Sequence, residues 1–226
     1  MTVTIYGIVA SRAVRPLWVA RELGLDIAHV PTPYQGGGTR TPEFLQLNPN
    51  GHIPVLQDDR PDGTVVVWES MACALYLARH HGRADGVDLS PATPREDAEA
   101  LRWAFWTVTE IEKDALTVLM HRMTMPPEQR KPELADQAER RLLVPLKVLE
   151  AHLQAQQARG EAYLAAHRFT VADVCVASVV NWARPARELM AQFPLTADWV
   201  LRCVQREAHQ ALKEAAKGRS TVGAPA

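Results

Sequence analysis

Apolar and polar positions near the start of the chain follow first a strand pattern and then a helical one. "TVTIYGIV" at residues 2–9 is rich in β-branched and aromatic residues, which is typical of a buried strand. The next segment has apolar residues at helical spacing. Because Pro16 fits only about the first turn of a helix, we expect this helix to begin near residues 11–13 and to end at Gly24. A weaker strand pattern follows at residues 27–31.

Two further strands and a helix complete the first part of the chain. "PVLQD" and "TVVVW" are joined through "DRPDG", a hairpin signal. "ESMACALYLARHH" follows as a helix closed by Gly82, and a short helix is expected at Pro42–Leu47 within the turn-rich connection before the hairpin. The predicted order is β-α-β-(α)-β-β-α over residues 1–82, an α/β domain.

The pattern changes after Gly82. Residues 83–94 have the Gly, Pro and Ser content of a linker, and no strand pattern appears beyond them. An all-helical domain is predicted over residues 95–217, followed by a disordered tail at 218–226. Its helical stretches are rich in Ala, Leu, Glu, Arg and Gln and lie at 95–125, 133–158, 170–190 and 195–217.

Composition and charge narrow the class of protein. The 226 residues are 47% hydrophobic and 23% charged, with ample core for folding, and the formal charge of -1 gives no electrostatic case for binding nucleic acid or a membrane. No run of 18 apolar residues occurs, so neither a membrane span nor a signal peptide is expected. Cys73, Cys175 and Cys203 lie in apolar surroundings, which favours buried reduced thiols in the cytoplasm over disulfides or a metal site.

The segment "NPNGHIPVL" at residues 48–56 places a proline where a strand begins. Pro54 cannot donate to a sheet ladder, so it must occupy the first position of a strand or an edge. One explanation is that Pro54 merely ends an edge. The other is that the backbone before it is held out to pair with a molecule that is not part of the protein.

A second motif, "FTVADVC", predicts the start of a buried helix. Thr170 and Asp173 are spaced as a capping box, and Phe169 with Val174 as the flanking hydrophobic staple. We assign this motif to folding and not to chemistry.

Taken together and in this order, "NPNGHIPVL", "ESMACALYLAR" and "FTVADVCVASVV" resemble the soluble glutathione transferases over nearly the whole chain. The resemblance implies a thioredoxin-like first domain, a cis peptide bond before Pro54 and an all-helical second domain. It also implies that glutathione binds as co-substrate without a metal, and that the protein is a homodimer.

The resemblance assigns two groups of residues to the glutathione backbone. The N–H and C=O of Ile53 would pair with the cysteinyl unit, as an added strand would. Glu69 and Ser70 fall where a helix begins, a place that accepts a carboxylate. Glu69 suits the ammonium of the γ-glutamyl end and Ser70 its carboxylate. An ordinary capping pair would have the same geometry.

The glycyl carboxylate requires a cation, and no lysine occurs in the first 112 residues. His52 occupies the position where many relatives have a lysine, and its ring can donate one hydrogen bond. Arg40 and Arg12 are the alternatives. An exposed loop histidine without a ligand is the simpler interpretation of His52.

A hydroxyl donor is needed because a free thiol has a pKa of about 8.5 and is mostly protonated at neutral pH. Ser11, before the first helix, is similar to the serine of theta- and zeta-like classes, and we favour it as the catalytic residue. Tyr6 is similar to the tyrosine of other classes. Arg12 would add positive charge beside the sulfur in either case. A plain helix cap is the alternative role for Ser11.

No cysteine occurs at residues 9–13, which disfavours reduction of disulfides or dehydroascorbate. The expected activity is conjugation of glutathione to small hydrophobic electrophiles, or peroxide reduction. The alternative is a non-catalytic ligand-binding module of the same fold. Trp103, Trp106 and Met123 would form an apolar, adaptable wall of the electrophile pocket, although aromatic residues at helical spacing are also typical of a core.

Overall fold

A computed structural model describes residues 2–82 and 87–220. Parts of the predicted linker (83–86) and of the predicted tail (221–226) lie outside the described residues. The chain is divided into two compact units. The first contains the chain up to Ser90 together with the residues from Arg206 onward, and the second contains Pro91–Gln205.

The first unit is built on a mixed four-stranded sheet with the order β2-β1-β3-β4, in which β1 and β2 are parallel and the other neighbours antiparallel. Its strands are β1 (Thr2–Tyr6), β2 (Ile27–Val30), β3 (Val55–Arg60) and β4 (Gly63–Trp68). Its first three helices are α1 (Val14–Glu22), α2 (Pro42–Leu47) and α3 (Ser70–His81). The predicted order β-α-β-(α)-β-β-α and the thioredoxin-like first domain are confirmed.

The C-terminal end of β1 lies at the centre of this sheet. Tyr6 pairs with Val30 on one side and with Val55 on the other, so the chain leaves β1 between the end of β2 and the start of β3. The predicted strand at residues 2–9 is therefore too long, because the backbone turns away at Gly7, where φ is +136°. Residues 11–13 form the turn that leads into α1 and not its first helical residues.

The second unit is helical. Its α-helices are α4 (Pro94–Trp106), α5 (Glu112–Leu119), α6 (Pro132–Ala158), α7 (Val171–Val180), α8 (Arg187–Met190) and α9 (Pro194–Val204). Two π-helical segments, Thr107–Ile111 and Met120–Thr124, interrupt the stretch that was predicted as one uniform helix over 95–125. The predicted linker also ends earlier than residue 94, because Pro94 is the first residue of α4.

The buried helix α7 begins at the predicted capping box. The Asp173 carboxylate accepts hydrogen bonds from the Thr170 N–H at 2.9 Å and from the Leu164 N–H and Trp199 Nε1 at 3.0 Å each. Burial raises the pKa of Asp173, while these donors act in the opposite direction. The motif therefore links the start of α7 to two other parts of the second unit. None of the helices within residues 2–82 and 87–220 is long and apolar enough to cross a membrane.

The last helix, α10 (Glu207–Ser220), belongs to the first unit. Arg206 donates two hydrogen bonds of 2.7 Å to Glu22 of α1, and the His209 ring lies 4.4 Å from that of Trp18. The single helical stretch predicted at 195–217 is thus two helices. Because α10 packs on α1, the helical domain ends at residue 205 and not at 217 as predicted. The tail predicted from residue 218 begins inside α10.

A buried carboxylate connects β3 to the last turn of α3. Asp58 Oδ2 accepts hydrogen bonds from Arg60 Nε at 2.7 Å and from Tyr76 OH and His81 Nε2 at 2.8 Å each. Burial alone would raise the pKa of Asp58, but the hydrogen bonds from His81, Arg60 and Tyr76 outweigh it and hold this pKa below its ordinary value.

Replacement of the Asp58 carboxylate tests its role in joining β3 to α3. Because the pKa of Asp58 is lower in the folded than in the unfolded state, its contribution to stability is present at neutral pH and is lost as the pH falls below about 4. Asp58→Asn should lower the free energy of unfolding by about 2 kcal/mol at neutral pH in urea titrations. The difference from the unsubstituted protein should shrink in acid.

Asp62→Asn, in the turn between β3 and β4, is the matched control and should change stability by less than about 0.5 kcal/mol. If Asp58→Asn lowers the free energy of unfolding by the same amount at neutral pH and in acid, the lowered pKa of Asp58 is contradicted.

Candidate functional site

Gly7 joins three segments at the end of β1. Its N–H donates to the Val30 carbonyl at 2.9 Å, and its own carbonyl accepts from His29 Nε2 at 2.7 Å. A Cβ at this position would lie 2.7 Å from the Cβ of Ala13 and 3.3 Å from that of Ile53. Only a glycine therefore fits between the turn before α1 and the residue before Pro54. The sequence pattern placed Gly7 inside a strand and did not indicate this role.

Ser11 lies in the turn between β1 and α1 and is half-buried. Its hydroxyl donates to the Ile8 carbonyl at 2.7 Å and accepts from the Ala13 N–H at 3.1 Å. The second bond closes a short turn and is not a helix cap, because Ala13 is the N-cap residue of α1 and this helix has no side-chain cap hydrogen bond. The alternative role of Ser11 as a plain helix cap is therefore wrong. A ligand anion would have to compete with the Ile8 carbonyl for the hydroxyl proton. Arg12, the next residue, is exposed.

Tyr6 is the last residue of β1 and is also half-buried. Its ring meets that of Phe44 from α2 edge to face, with 6.3 Å between the centroids. This contact gives Tyr6 a packing role between β1 and α2.

The peptide bond between Ile53 and Pro54 is cis, as expected. Pro54 is buried, and the ladder of β3 starts only at Val55, so Ile53 lies outside the sheet. Within the described parts of the chain, neither the N–H nor the C=O of Ile53 makes a hydrogen bond. Ile53 is partly exposed and thus presents one backbone donor and one acceptor beside Gly7.

The loop before Ile53 is braced by a buried asparagine. Asn48 Nδ2 donates to the His52 carbonyl at 2.8 Å, and Asn48 Oδ1 accepts from the Asn50 N–H at 3.0 Å. Arg40 Nη1 donates to the Asn50 carbonyl at 3.2 Å, and its guanidinium packs against Gly51. The exposed Arg40, which precedes α2, is therefore attached to the loop after α2 that carries the exposed His52. The turn-rich sequence indicated a loop but not the bracing by Asn48.

Glu69 and Ser70 stand at the start of α3, as predicted. Glu69 has a φ of +71°, which makes it the one non-glycine residue with a positive φ in the part of the chain that the structure describes. Residues in this region of φ cluster at functional sites. Its side chain is exposed, whereas Ser70 is buried and accepts a hydrogen bond from Arg15 Nη1 at 2.5 Å.

Arg15 is fully buried in the first turn of α1 and was not identified from the sequence. Its bond to Ser70 joins the start of α1 to the start of α3, across 55 positions of sequence. The only signal in the sequence was a charged residue on the apolar side of a predicted helix. Together with Gly7, Arg15 brings the Ser11 turn, Ile53 and the Glu69–Ser70 pair into one region of the first unit.

The three residues predicted for the electrophile pocket lie in the second unit. Trp103 is buried, donates to Glu99 at 3.1 Å and packs against the rings of Trp106 and His152, 4.9 and 4.6 Å away. Trp103 is thus a core residue of its unit, while Met123 is exposed on the second π-helical segment. Their role as a pocket wall stays a prediction.

Metal and thiol chemistry have few candidates in this structure. Among the residues described, no group of three His, Cys, Asp or Glu side chains is arranged to hold a metal ion. All three cysteines are buried and free of disulfides. Burial, with the charge of Glu69, raises the pKa of Cys73 to about 12, so this thiol is protonated at neutral pH.

Substitution of Gly7 tests whether close packing assembles the region. Gly7→Ala should lower the free energy of unfolding by about 3 kcal/mol, because the added methyl group meets Ala13 and Ile53 as well as an unfavourable φ. Gly63→Ala is the matched control, since Gly63 has a φ of +130° but no atom within 4 Å of an added Cβ. Gly63→Ala should lower the free energy of unfolding only by the part that comes from the unfavourable φ. Equal losses of unfolding free energy for the two variants in urea titrations would contradict the packing role of Gly7.

We next compared the chain with known protein families, solved structures and other proteins. The model for the glutathione S-transferase N-terminal domain matches residues 1–79, and the model for the C-terminal domain matches residues 112–207. Glutathione S-transferase 3 of Zea mays is 34% identical over 191 residues, which are 81% of this chain and 80% of that protein.

Two further relatives bear on function. A crystal structure of the theta class glutathione S-transferase from Xanthomonas axonopodis pv. citri with glutathione bound is 29% identical, with a TM-score of 0.75 over 93% of this chain and 96% of that one. Elongation factor 1-gamma of Equus caballus is 28% identical over 213 residues, which are 89% of this chain but 44% of that longer protein. The domain matches and the maize relative show that the chain belongs to the glutathione S-transferase family.

Proposed function

We propose that the protein is a glutathione transferase that stabilises the glutathione thiolate for attack on small hydrophobic electrophiles. The observation that carries the proposal is the backbone of Ile53, which is unpaired among the described residues and lies against Gly7 at the base of the Ser11 turn. An extended peptide can pair with such a backbone as an added strand, and glutathione is a tripeptide.

The γ-glutamyl end would bind at the start of α3. The free N–H groups there favour the carboxylate, and the exposed Glu69 suits the ammonium. Arg15 supports this arrangement because it donates to the Ser70 oxygen. The hydroxyl proton of Ser70 then remains available to donate to a ligand carboxylate.

At the glycyl end, we propose Arg40 as the main partner of the carboxylate. Its guanidinium is charged at every physiological pH and is anchored to the loop through the Asn50 carbonyl. His52, in the loop after α2, would add a hydrogen bond. Peptide binding along Ile53 would place the cysteinyl sulfur between these two ends.

Ser11 would activate the sulfur. Its hydroxyl would turn from the Ile8 carbonyl to the sulfur and donate to the thiolate, next to the positive end of α1 and to the charge of Arg12. The thiol proton passes to solvent. In an aromatic substitution the thiolate electron pair forms the new carbon–sulfur bond, and the leaving group departs with its own electron pair. Peroxide reduction would use the same thiolate.

Titration of bound glutathione tests the role of Ser11. We expect the thiolate absorbance of the complex to give a pKa below the free-thiol value of about 8.5, and Ser11→Ala to return it to about that value. The variant should also lose about 100-fold in kcat with 1-chloro-2,4-dinitrobenzene. Tyr6→Phe is the control and should keep both values.

An effect of Tyr6→Phe without one of Ser11→Ala would assign the donor to Tyr6. A bound thiol that titrates like free glutathione, in a protein that conjugates nothing, would instead support a non-catalytic ligand-binding module. The similarity to elongation factor 1-gamma is the observation that favours this second candidate.

The residue that binds the glycyl carboxylate is identified by comparing glutathione with its glycyl monoethyl ester, in which this carboxylate has no charge. Arg40→Gln should weaken binding of glutathione about 10-fold in calorimetric titrations, because a charge-assisted hydrogen bond is lost. Binding of the ester should change by less than about 2-fold, since it has no carboxylate for Arg40. If His52→Gln shows this selectivity and Arg40→Gln does not, His52 is the partner.

We also propose that the protein is a homodimer, as members of its family usually are. Exposed apolar side chains on α4 and on the π-helical segment after it support an interface there. Phe105 is 67% exposed, and Leu101 and Val108, at helical spacing from it, are 38% and 40% exposed.

A further inference from the structure

A cavity of about 450 Å³ opens next to the Ser11 turn within the first unit. It begins at Ile8–Ala10, the residues directly before Ser11, and continues between α1, β2 and α10. Ile8, whose carbonyl accepts the Ser11 hydroxyl, is one of the lining residues. The lining therefore includes a residue that is hydrogen-bonded to the proposed catalytic group.

The lining is apolar except at two positions. Leu17, Leu25 and Ile27 are typical of its walls, and its titratable side chains are Arg21 and His29. His29 donates to the Gly7 carbonyl. Arg21 makes no side-chain hydrogen bond or ion pair with any other residue in the described ranges. No carboxylate of the described chain lines the cavity, and the nearby Glu22 accepts from Trp18 and Arg206.

The two functional ends of the cavity are well separated. The seven residue-to-residue steps from Val14 to Arg21 span about 10 Å along the axis of α1. A molecule whose reacting carbon lies near Ser11 would thus meet apolar walls along its body and a guanidinium at its far end. Such a lining matches an apolar molecule that carries an anionic group opposite its reactive carbon.

We propose that this cavity, whose lining includes none of Trp103, Trp106 and Met123, binds the electrophile in place of the wall predicted from the sequence. Within it, Arg21 selects electrophiles with a carboxylate distant from the reacting carbon. The inference rests on the proposed function, because it needs a glutathione thiolate at Ser11. With an α,β-unsaturated ketone, the thiolate electron pair forms a bond from sulfur to the β-carbon. The π electrons of the C=C bond pass to the enolate, which takes a proton from water, and no group leaves.

Ethacrynic acid and its methyl ester form a matched pair of probes, since both carry the same enone and only the acid is charged. We expect the unsubstituted protein to have a higher kcat/KM for the acid than for the ester. Arg21→Gln should lower the ratio of the two kcat/KM values about 10-fold, mainly through KM of the acid. Arg95→Gln, an exposed arginine on α4 with no described ion pair, is the control and should keep the ratio.

A second variant tests the cavity itself. Ala215, an exposed residue of α10, lines its wall, and Ala215→Trp should raise KM for both compounds. If both compounds are conjugated and Arg21→Gln does not change the ratio of their kcat/KM values, the proposed role of Arg21 is wrong. Unaltered KM values in Ala215→Trp would overturn the cavity as the binding place. If no electrophile reacts faster than it does without protein, the proposed function fails and this inference fails with it.

Discussion

The hydrogen bond between the buried guanidinium of Arg15 and the hydroxyl of Ser70 is the interaction on which the site depends. A buried charge is costly unless it is paired or hydrogen-bonded, so its partners are held firmly in place. The bond joins the first turns of two helices, and each helix start offers free N–H groups and a positive dipole end. Ser11 precedes one of these starts, and Ser70 begins the other.

The remaining contacts of the site follow from the end of β1. The backbone of Gly7 is close enough to Ala13 and Ile53 to exclude any side chain, so the Ser11 turn and the loop before Pro54 meet there. Asn48 holds that loop from within. The backbone groups of Ile53 are left unpaired among the described residues, whereas most buried backbone groups in proteins are paired. This combination of a braced loop and an open backbone pair is suited to a peptide ligand.

The local chemistry of the chain made several elements predictable. The bounds of α2 are those predicted, because Pro42 begins the helix and Thr41 caps it through the Phe44 N–H. The hairpin of β3 and β4 and the capping box of α7 also follow from turn and cap residues that act over a few positions. For the site, the same local reasoning placed Pro54 at the start of a strand and the pair Glu69–Ser70 at the start of a helix. The roles of Ser11, Ile53 and this pair came from the family resemblance and stay predictions.

Other features depend on contacts between distant positions, and periodicity carries no information about them. Arg15 looks like an ordinary helical residue until its partner 55 positions away is known. Gly7 is conspicuous only when Ala13 and Ile53 surround it. The assignment of α10 to the first unit likewise rests on Glu22 and Trp18, and the π-helical segments have no distinct hydrophobic pattern.

We propose that glutathione lies along Ile53, with its sulfur at Ser11 and its γ-glutamyl end at Ser70. Isotope-filtered nuclear Overhauser measurements on the protein with ¹³C-labelled glutathione test this binding mode. We expect contacts from the cysteinyl protons to Ile53 and Ser11, and from the γ-glutamyl protons to Ser70. Bound glutathione with contacts only to residues outside this region would contradict the binding mode.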